Sequence, residues 1–325
     1  MALPDILKNN IRLPIIASPM FIVSGTELVL EQCKAGVIGS FPSLNARGEG
    51  EFERWLQHLN EELDKHNQAN PNKPAAPYAV NLIVHKTNPR VEEDLELCVK
   101  YKVPIIITSL GAREDVNEAV HSYGGITLHD IISNEFAKKA ISKGADGVIA
   151  VAAGAGGHAG TLSPIALVQE IREWFDGPLL LSGCMSTGKA ILSAQAMGAD
   201  MGYMGSAFIA TKEANAVDGY KEMITQSDAN DIAYSSAFTG VWGNYLIPSI
   251  EAAGLDPNDL PEGDPAQLAK ISQSNPGTES KAWKNIWGCG QGIGPVKEVL
   301  KASELIDILI AEYQAAKIEL VEKVS

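Results

Sequence analysis

One imidazole in this chain is surrounded by residues with almost no side-chain mass, in the run Gly154-Ala155-Gly156-Gly157-His158-Ala159-Gly160. A histidine flanked in this way does not read as core filling. Its ring is expected to project into space left open for a ligand, with bare backbone able to approach that ligand closely. A reference pKa near ~6.5 lets histidine take or give a proton at neutral pH, so His158 is the candidate catalytic residue. The plainer alternative is a surface turn carrying an incidental histidine. His129, at the end of an apolar run, is expected to point towards the same opening as a second candidate. No histidine pair has the His-x-x-x-His spacing and no carboxylate completes a cluster, so no metal is expected.

Two other apolar runs end in small-residue turns, Ser182-Gly183-Cys184-Met185 and Met204-Gly205-Ser206. Turns of this kind present backbone N–H groups to an anion and suit a phosphate, although glycines there also serve simple chain reversal. Residues 183–189 fit the first seven places of Gly-x-x-x-x-Gly-Lys, but Ala190 stands where a magnesium-holding Ser or Thr belongs, which argues against a nucleotide triphosphatase. The run 288–294 misses the dinucleotide fingerprint and reads as a hinge. Cys184 reads as a small buried filler rather than a nucleophile.

The elements that must position these groups alternate along the first two-thirds of the chain. Apolar, strand-like runs occur at residues 13–18, 36–41, 78–84, 103–110, 125–128, 147–152, 178–183 and 201–204, mostly without polar alternation, as for parallel strands buried on both faces. Helical patterns fill the gaps at 51–67, 134–143, 164–174 and 187–197, and Ser24 with Glu27 fits a capping box for a helix after the first strand. Eight such repeats predict an α/β fold, a (β/α)8 TIM barrel. Beyond residue 210 the pattern becomes helical and loop-rich with no strong strand, until a long amphipathic helix over 295–324 carries Val299, Ile306, Leu309, Tyr313 and Ile318 on one side. The expected organisation is a barrel from 1–212 and 291–325 with a helical lid insertion, 213–290, after the eighth strand. Aromatic residues in that insertion, Trp242, Tyr245, Trp283 and Trp287, read as packing rather than as part of the site.

Charge and composition exclude several classes. The 325 residues are 45% hydrophobic and 20% charged, which excludes a disordered chain. A net charge of −14 argues against nucleic acid and anionic membranes as partners. Four scattered cysteines suggest no disulfide framework, and the N-terminus carries no signal-like segment, so a cytoplasmic protein is expected.

Taken in order, these motifs resemble the nitronate monooxygenase family, formerly called 2-nitropropane dioxygenases. Ala17-Ser18-Pro19-Met20 resembles the turn after the family's first strand, and Ala79-Val80-Asn81-Leu82 its third strand, whose Asn binds FMN. The Gly156-Gly157-His158 loop resembles the site of its catalytic base. Ser182-Gly183-Cys184 and Met204-Gly205-Ser206 resemble its phosphate loops, and Ala237-Phe238-Thr239-Gly240 and Gly290-Gln291-Gly292 its lid segments. The chain departs from the family at Val151, where Gln is common, at Cys184, which replaces the second Gly of a pair, and at Ser206, which replaces Thr. The resemblance implies FMN as cofactor, His158 as the proton-transfer group, and an alkyl nitronate oxidised with O2 to a carbonyl compound and nitrite. The small-molecule substrate and O2 are the partners it implies, and a homodimer is compatible with it. The alternatives are an NAD(P)H-dependent FMN quinone or enoyl-thioester reductase on the same scaffold, and a non-catalytic barrel that binds a phosphorylated ligand.

Overall fold

A computed structural model describes residues 3–264 and 285–325. Strands and helices alternate as β1 (Ile15–Ala17), α1 (Thr26–Ala35), β2 (Gly39–Pro42), α2 (Glu51–Ala69), β3 (Tyr78–Ile83), α3 (Val91–Lys100), β4 (Ile105–Ser109), α4 (Glu114–His121), β5 (Ile126–Ile131), α5 (Asn134–Ser142) and β6 (Gly147–Val151). There follow β7 (Gly157–His158), α6 (Pro164–Arg172), β8 (Leu179–Ser182), α7 (Gly188–Met197), β9 (Met201–Met204) and α8 (Ser206–Ile209). The last are α9 (Asp218–Gln226), β10 (Ile232–Ser235), β11 (Gly243–Leu246), α10 (Ile247–Ala252) and α11 (Ala302–Val324).

Eight of these strands form one parallel sheet in the order β1-β9-β8-β6-β5-β4-β3-β2. A parallel bridge between Ile16 and Ile38 brings its two edges together, so the sheet closes as a TIM barrel. Every strand-like run of the sequence supplies one barrel strand, because each is apolar enough to be buried on both faces.

Alternation along each strand sorts side chains into two cores. Ile16, Ile38, Ala79, Ile105, Ile107, Leu128, Ile149, Leu180 and Met201 pack together inside the barrel, with Leu7 among them. Their strand neighbours face the helices. α2, for example, buries Phe52, Leu56, Leu59 and Leu63 along one face, each worth roughly 1.5–3 kcal/mol when fully buried.

Three local expectations are corrected. Helix α1 is preceded by Gly25 with no side-chain cap, because the Ser24 hydroxyl instead accepts from the Met20 N–H at 2.9 Å. The final helix starts at Ala302 rather than 295, after a 3-10 turn at Gln291–Ile293, and its buried stripe is Ile306, Leu309, Tyr313 and Ala316 while Ile318 is 63% exposed. The insertion is not purely helical. Strands β10 and β11 pair antiparallel, and β11 pairs in turn with β7 through Gly243 opposite His158 and Asn244 opposite Gly157. Among the described residues, no helix is long and apolar enough to cross a membrane.

Candidate active site

The loop after β1 is tied down by side-chain hydrogen bonds from two distant asparagines. Asn45 donates to the carbonyls of Met20 (3.0 Å) and Ser24 (2.8 Å) and accepts from the Ile22 N–H at 2.9 Å. Ile22 sits at φ +67, a backbone conformation costly for a β-branched side chain, and these bonds hold it there. Asn215 adds a donation to the Ile22 carbonyl at 3.0 Å. Ser18 and Met20 are thereby fixed beside Gly205, where an added Cβ would collide with the Ser18 hydroxyl and lie 3.5 Å from the Met20 sulfur.

Three expected loops meet at one narrow cleft. Gly154, Ala155 and Gly156 line it from one side, Ser182, Gly183, Cys184 and Met185 from a second, and Tyr203, Gly205 and Ser206 from a third. Gly290 and Gly292 complete the wall, so the segment expected to be a hinge is part of the site. Gln291 N–H donates to the Gly154 carbonyl at 2.9 Å and Gly290 N–H to the Ser206 hydroxyl at 2.9 Å. The cleft's free volume is about 20 Å³, room for one water-sized group and not for a ring system. Among the described residues no Lys or Arg lines it, so an anion there would rest on backbone N–H groups.

The N-terminus of α7 takes no part in this cleft. The Gly188 N–H donates to Glu312 at 2.7 Å, and Lys189 pairs with Glu319 at 2.8 Å, both partners lying on α11. The lysine of the triphosphatase-like motif is therefore engaged with the C-terminal helix. The N-terminus that faces the cleft is that of the short helix α8.

The glycine cradle tolerates no extra atom. A Cβ on Gly156 would lie 2.8 Å from the backbone nitrogen of Gly290 and 3.0 Å from the Ser206 hydroxyl. Gly156→Ala is expected to weaken phosphate-ester binding about tenfold or more, because a backbone displacement of this kind costs roughly 1–3 kcal/mol. Fluorescence titration of FMN into the apoprotein checks this.

His158 lies two residues beyond Gly156, the last residue of its loop to line the cleft, and is half-buried on the strand shared with the insertion. Its Nε2 lies 3.0 Å from the Thr239 hydroxyl, which also donates to the Val241 carbonyl (2.9 Å) and accepts from the Val241 N–H (3.1 Å). The same hydroxyl lies 3.5 Å from the Tyr245 hydroxyl. With its one proton given to the Val241 carbonyl, the contact to Nε2 needs a proton on His158 Nε2, which leaves Nδ1 as the base. Nδ1 has no hydrogen-bond partner among the described residues. Burial pushes the ring's pKa down to about 4, so at pH 7 the imidazole is neutral. The insertion holds the whole loop: Asn244 donates to the Ala155 carbonyl at 2.6 Å, and Tyr234 to the Ala159 carbonyl at 2.9 Å.

His129 does not face the barrel mouth. It pairs in register with Val148, which packs in the outer core, and its Nδ1 contacts the Thr108 hydroxyl at 2.6 Å. Since Leu128 points inward, alternation turns His129 outward and Asp130 inward. Ala17 and Met204 likewise send their side chains into the outer core, and Met204 contributes its carbonyl to the Ser18 N–H at 2.8 Å. The expectation of a buried Cys184 is corrected too. The residue is exposed, with φ +56, the left-handed conformation that the family's glycine adopts freely. Its sulfur occupies the space where a side chain on Gly154 would go.

Inside the barrel, one step above the apolar layer, the expected Asn81 is joined by three residues that motif reading missed, Ser109, Asp130 and Tyr203. Asn81 donates to the Ile107 carbonyl (3.0 Å) and to the Ser109 hydroxyl (2.8 Å), and Ser109 donates to Asp130 at 2.6 Å. Asp130 Oδ1 and the Tyr203 hydroxyl are buried without a hydrogen-bond partner among the described residues. Strand parity alone reaches these positions, each being two residues beyond an inward apolar one. The insertion aromatics are packing, as expected. Tyr245 is buried edge-on to Phe238, Trp287 stacks on Tyr220, and the exposed Trp242 stacks on Tyr234. Trp283 lies outside the described residues.

Comparison with known proteins agrees with this geometry. The family described as nitronate monooxygenase matches residues 4–312. The nitronate monooxygenase of Paraburkholderia phytofirmans is 24% identical over 285 residues, covering 75% of this chain and 76% of its own. A carboxyl-CoA dehydrogenase of Rhodococcus jostii is 24% identical over 245 residues, and the chain spans only 65% of its length. The nitroalkane oxidase of Streptomyces ansochromogenes has the same fold, with a TM-score of 0.78 at 22% identity over 97% of this chain and 99% of that one. FabK of Thermotoga maritima does too, with a TM-score of 0.75 at 21% identity over 98% and 97%. With a barrel whose strand ends gather a bare-backbone cleft and a neutral histidine, and with a family match along nearly its whole length, the chain belongs to the nitronate monooxygenase family of flavin-dependent oxidoreductases.

Proposed function

We propose that the protein is an FMN-dependent nitronate monooxygenase, converting alkyl nitronates and O2 to carbonyl compounds and nitrite. The observation that carries this reading is the placement of a neutral His158, with Nδ1 free, beside a cleft walled by glycine backbone. The backbone N–H groups of residues 183–185 and 205–206, after β8 and β9, would hold the phosphate of FMN. Ser18, Pro19, Met20 and Asn81 would hold its ring system. The orphaned polar atoms of Asp130 and Tyr203 beneath the mouth fit a polar ligand edge better than an apolar one.

FMN supplies the redox chemistry when bound. The protein's part is to orient, to exclude water and to move a proton. His158 Nδ1 would take the α-proton of a neutral nitroalkane to give the nitronate, or return it, and Thr239 keeps the ring in that tautomer. Strands β10 and β11 cover the loop, so residues 213–290 act as the substrate-side cover and residues 1–212 with 291–325 as the cofactor-binding barrel. The unbridged cysteines Cys33, Cys98 and Cys289, all buried, support a reducing cytoplasmic setting.

Anaerobic titration of the purified protein with a small alkyl nitronate, following the flavin absorbance band, tests the reading. Bleaching of the band supports it. A yellow protein that stays oxidised with nitronate but bleaches with NADH or NADPH replaces it with a reductase. A flavin that responds to neither donor marks a ligand-binding barrel.

A further inference from the structure

Beneath the barrel mouth a chain of hydrogen bonds has a fixed direction. Both Asn81 amide hydrogens are taken, one by the Ile107 carbonyl and one by Ser109. Ser109 can accept from Asn81 because its own proton goes to Asp130 Oδ2. Asn81 Oδ1 is therefore left as the acceptor it can offer a ligand at the mouth. The other carboxylate oxygen, Asp130 Oδ1, is buried and unpartnered, and so is the Tyr203 hydroxyl, whose ionisation Asp130 opposes across the barrel.

We propose that Asp130 is a positioning residue of the cofactor seat: it acts through Ser109 to fix Asn81 as an acceptor, and its carboxyl carries a proton on Oδ1 when an anionic cofactor is bound. This rests on the FMN reading above. A buried carboxylate with one oxygen unpaired is costly, and an anion nearby makes it more so, whereas the protonated acid still accepts from Ser109 through Oδ2. Ligand binding thus forms one O–H bond at Oδ1 with a proton taken from solvent. The groups around Asp130 do not offset this. Neighbouring inward positions carry Ile107 and Ser109 on β4 and Ile149 and Val151 on β6, with Tyr203 on β9, and no basic side chain contributes to the carboxyl's ionisation among the described residues. Burial pushes the carboxyl's pKa up to about 7, with Ser109 opposing, which puts the proton exchange in the neutral range.

The test is FMN affinity of the apoprotein from pH 6 to 8.5, by fluorescence titration, for the wild type, Asp130→Asn and Asp130→Leu. Calorimetry in two buffers of different ionisation heat counts the protons taken up. The wild type is expected to lose affinity above pH 7 by up to about tenfold per pH unit relative to Asp130→Asn, with net proton uptake. Asp130→Asn keeps an oxygen to accept from Ser109, so it is expected to bind as the wild type does at pH 6, with a flatter profile. Asp130→Leu removes that acceptor and is expected to bind weakly throughout, with circular dichroism confirming that it folds. Identical pH profiles for wild type and Asp130→Asn would overturn the inference while leaving the FMN reading intact. Absence of FMN binding by the wild type at every pH would overturn both.

Discussion

His158→Asn is expected to retain its flavin and to lose about 10²–10⁴-fold in turnover of a neutral nitroalkane, the range typical for removal of a general acid–base group. The loss should be much smaller with a preformed nitronate, which has already shed its α-proton. The geometry carries this contrast: Nε2 is held by Thr239, and Nδ1 is the one ring nitrogen able to take a proton. With its pKa pushed down to about 4, the ring is neutral throughout the ordinary range, so the acid limb of kcat/KM for nitroalkane should fall only near pH 4. The same shift bears on stability. The unfolded chain binds a proton at this position below about pH 6.5, before the folded one does, so stability is lost as pH falls through the interval from about 6.5 to 4. Steady-state kinetics with the two substrates, alongside the flavin-to-protein absorbance ratio, checks the prediction. Equal losses with both substrates, or a colourless variant, would remove His158 from proton transfer and make it a structural part of the loop.

Most of the barrel is legible in the chain because its signal is chemical and local. Most of the eight strands are short apolar runs bounded by helix-forming sequence, as burial on both faces of a parallel sheet requires. The insertion is different. Ile232–Ser235 and Gly243–Leu246 are short and mixed, and neither has a strand's pattern on its own. They become strands because Gly157–His158 offers the edge on which β11 pairs, a contact between parts of the chain some 80 residues apart. The final helix starts late for a similar reason. Leu300 forms a parallel bridge with Thr211, donating to the Ala210 carbonyl at 3.3 Å and accepting from the Lys212 N–H at 2.8 Å, so the chain stays extended until Ala302.

The site shows the same division between motif and parity. Glycine clusters announced the cleft because bare backbone is itself the functional feature. His129 misleads because residue type does not give strand parity, and parity turns it outward. With Leu128 inward, the carboxyl next along the chain had to be the one facing the mouth, and the whole line Asn81, Ser109, Asp130 follows by counting two from an inward apolar residue on each of three adjacent strands. Cys184 misled in the opposite way. Its type suggests burial, but the left-handed turn it occupies holds it at the surface of the cleft. Asn244 and Asn45 carried no signal, since an asparagine that ties a distant loop looks like any other until the fold brings the loop to it.

Asp130→Asn should stabilise the apoprotein at pH 8, by up to roughly 4 kcal/mol, and the gain should vanish by about pH 4. Burial raises this carboxyl from the ordinary 3.8 to about 7, so between those values the folded chain keeps a proton that the unfolded chain has released. Stability of the wild type therefore falls as pH rises through that window, and the penalty is fully present above pH 7. The amide has no charge to desolvate and keeps an oxygen for the Ser109 hydroxyl, so it escapes the penalty without losing the bond. Around 4 kcal/mol is the ceiling set by the shift alone, and a water reaching Oδ1 or the Tyr203 hydroxyl would reduce it. Urea unfolding of both proteins at pH 8, 6 and 4.5 measures the difference directly. A variant less stable than the wild type by the same amount at every pH would mean that the carboxylate is paired in the folded state. A gain that grows with pH would identify Asp130 as a charge the fold holds at a cost, which natural proteins concentrate where ligands bind.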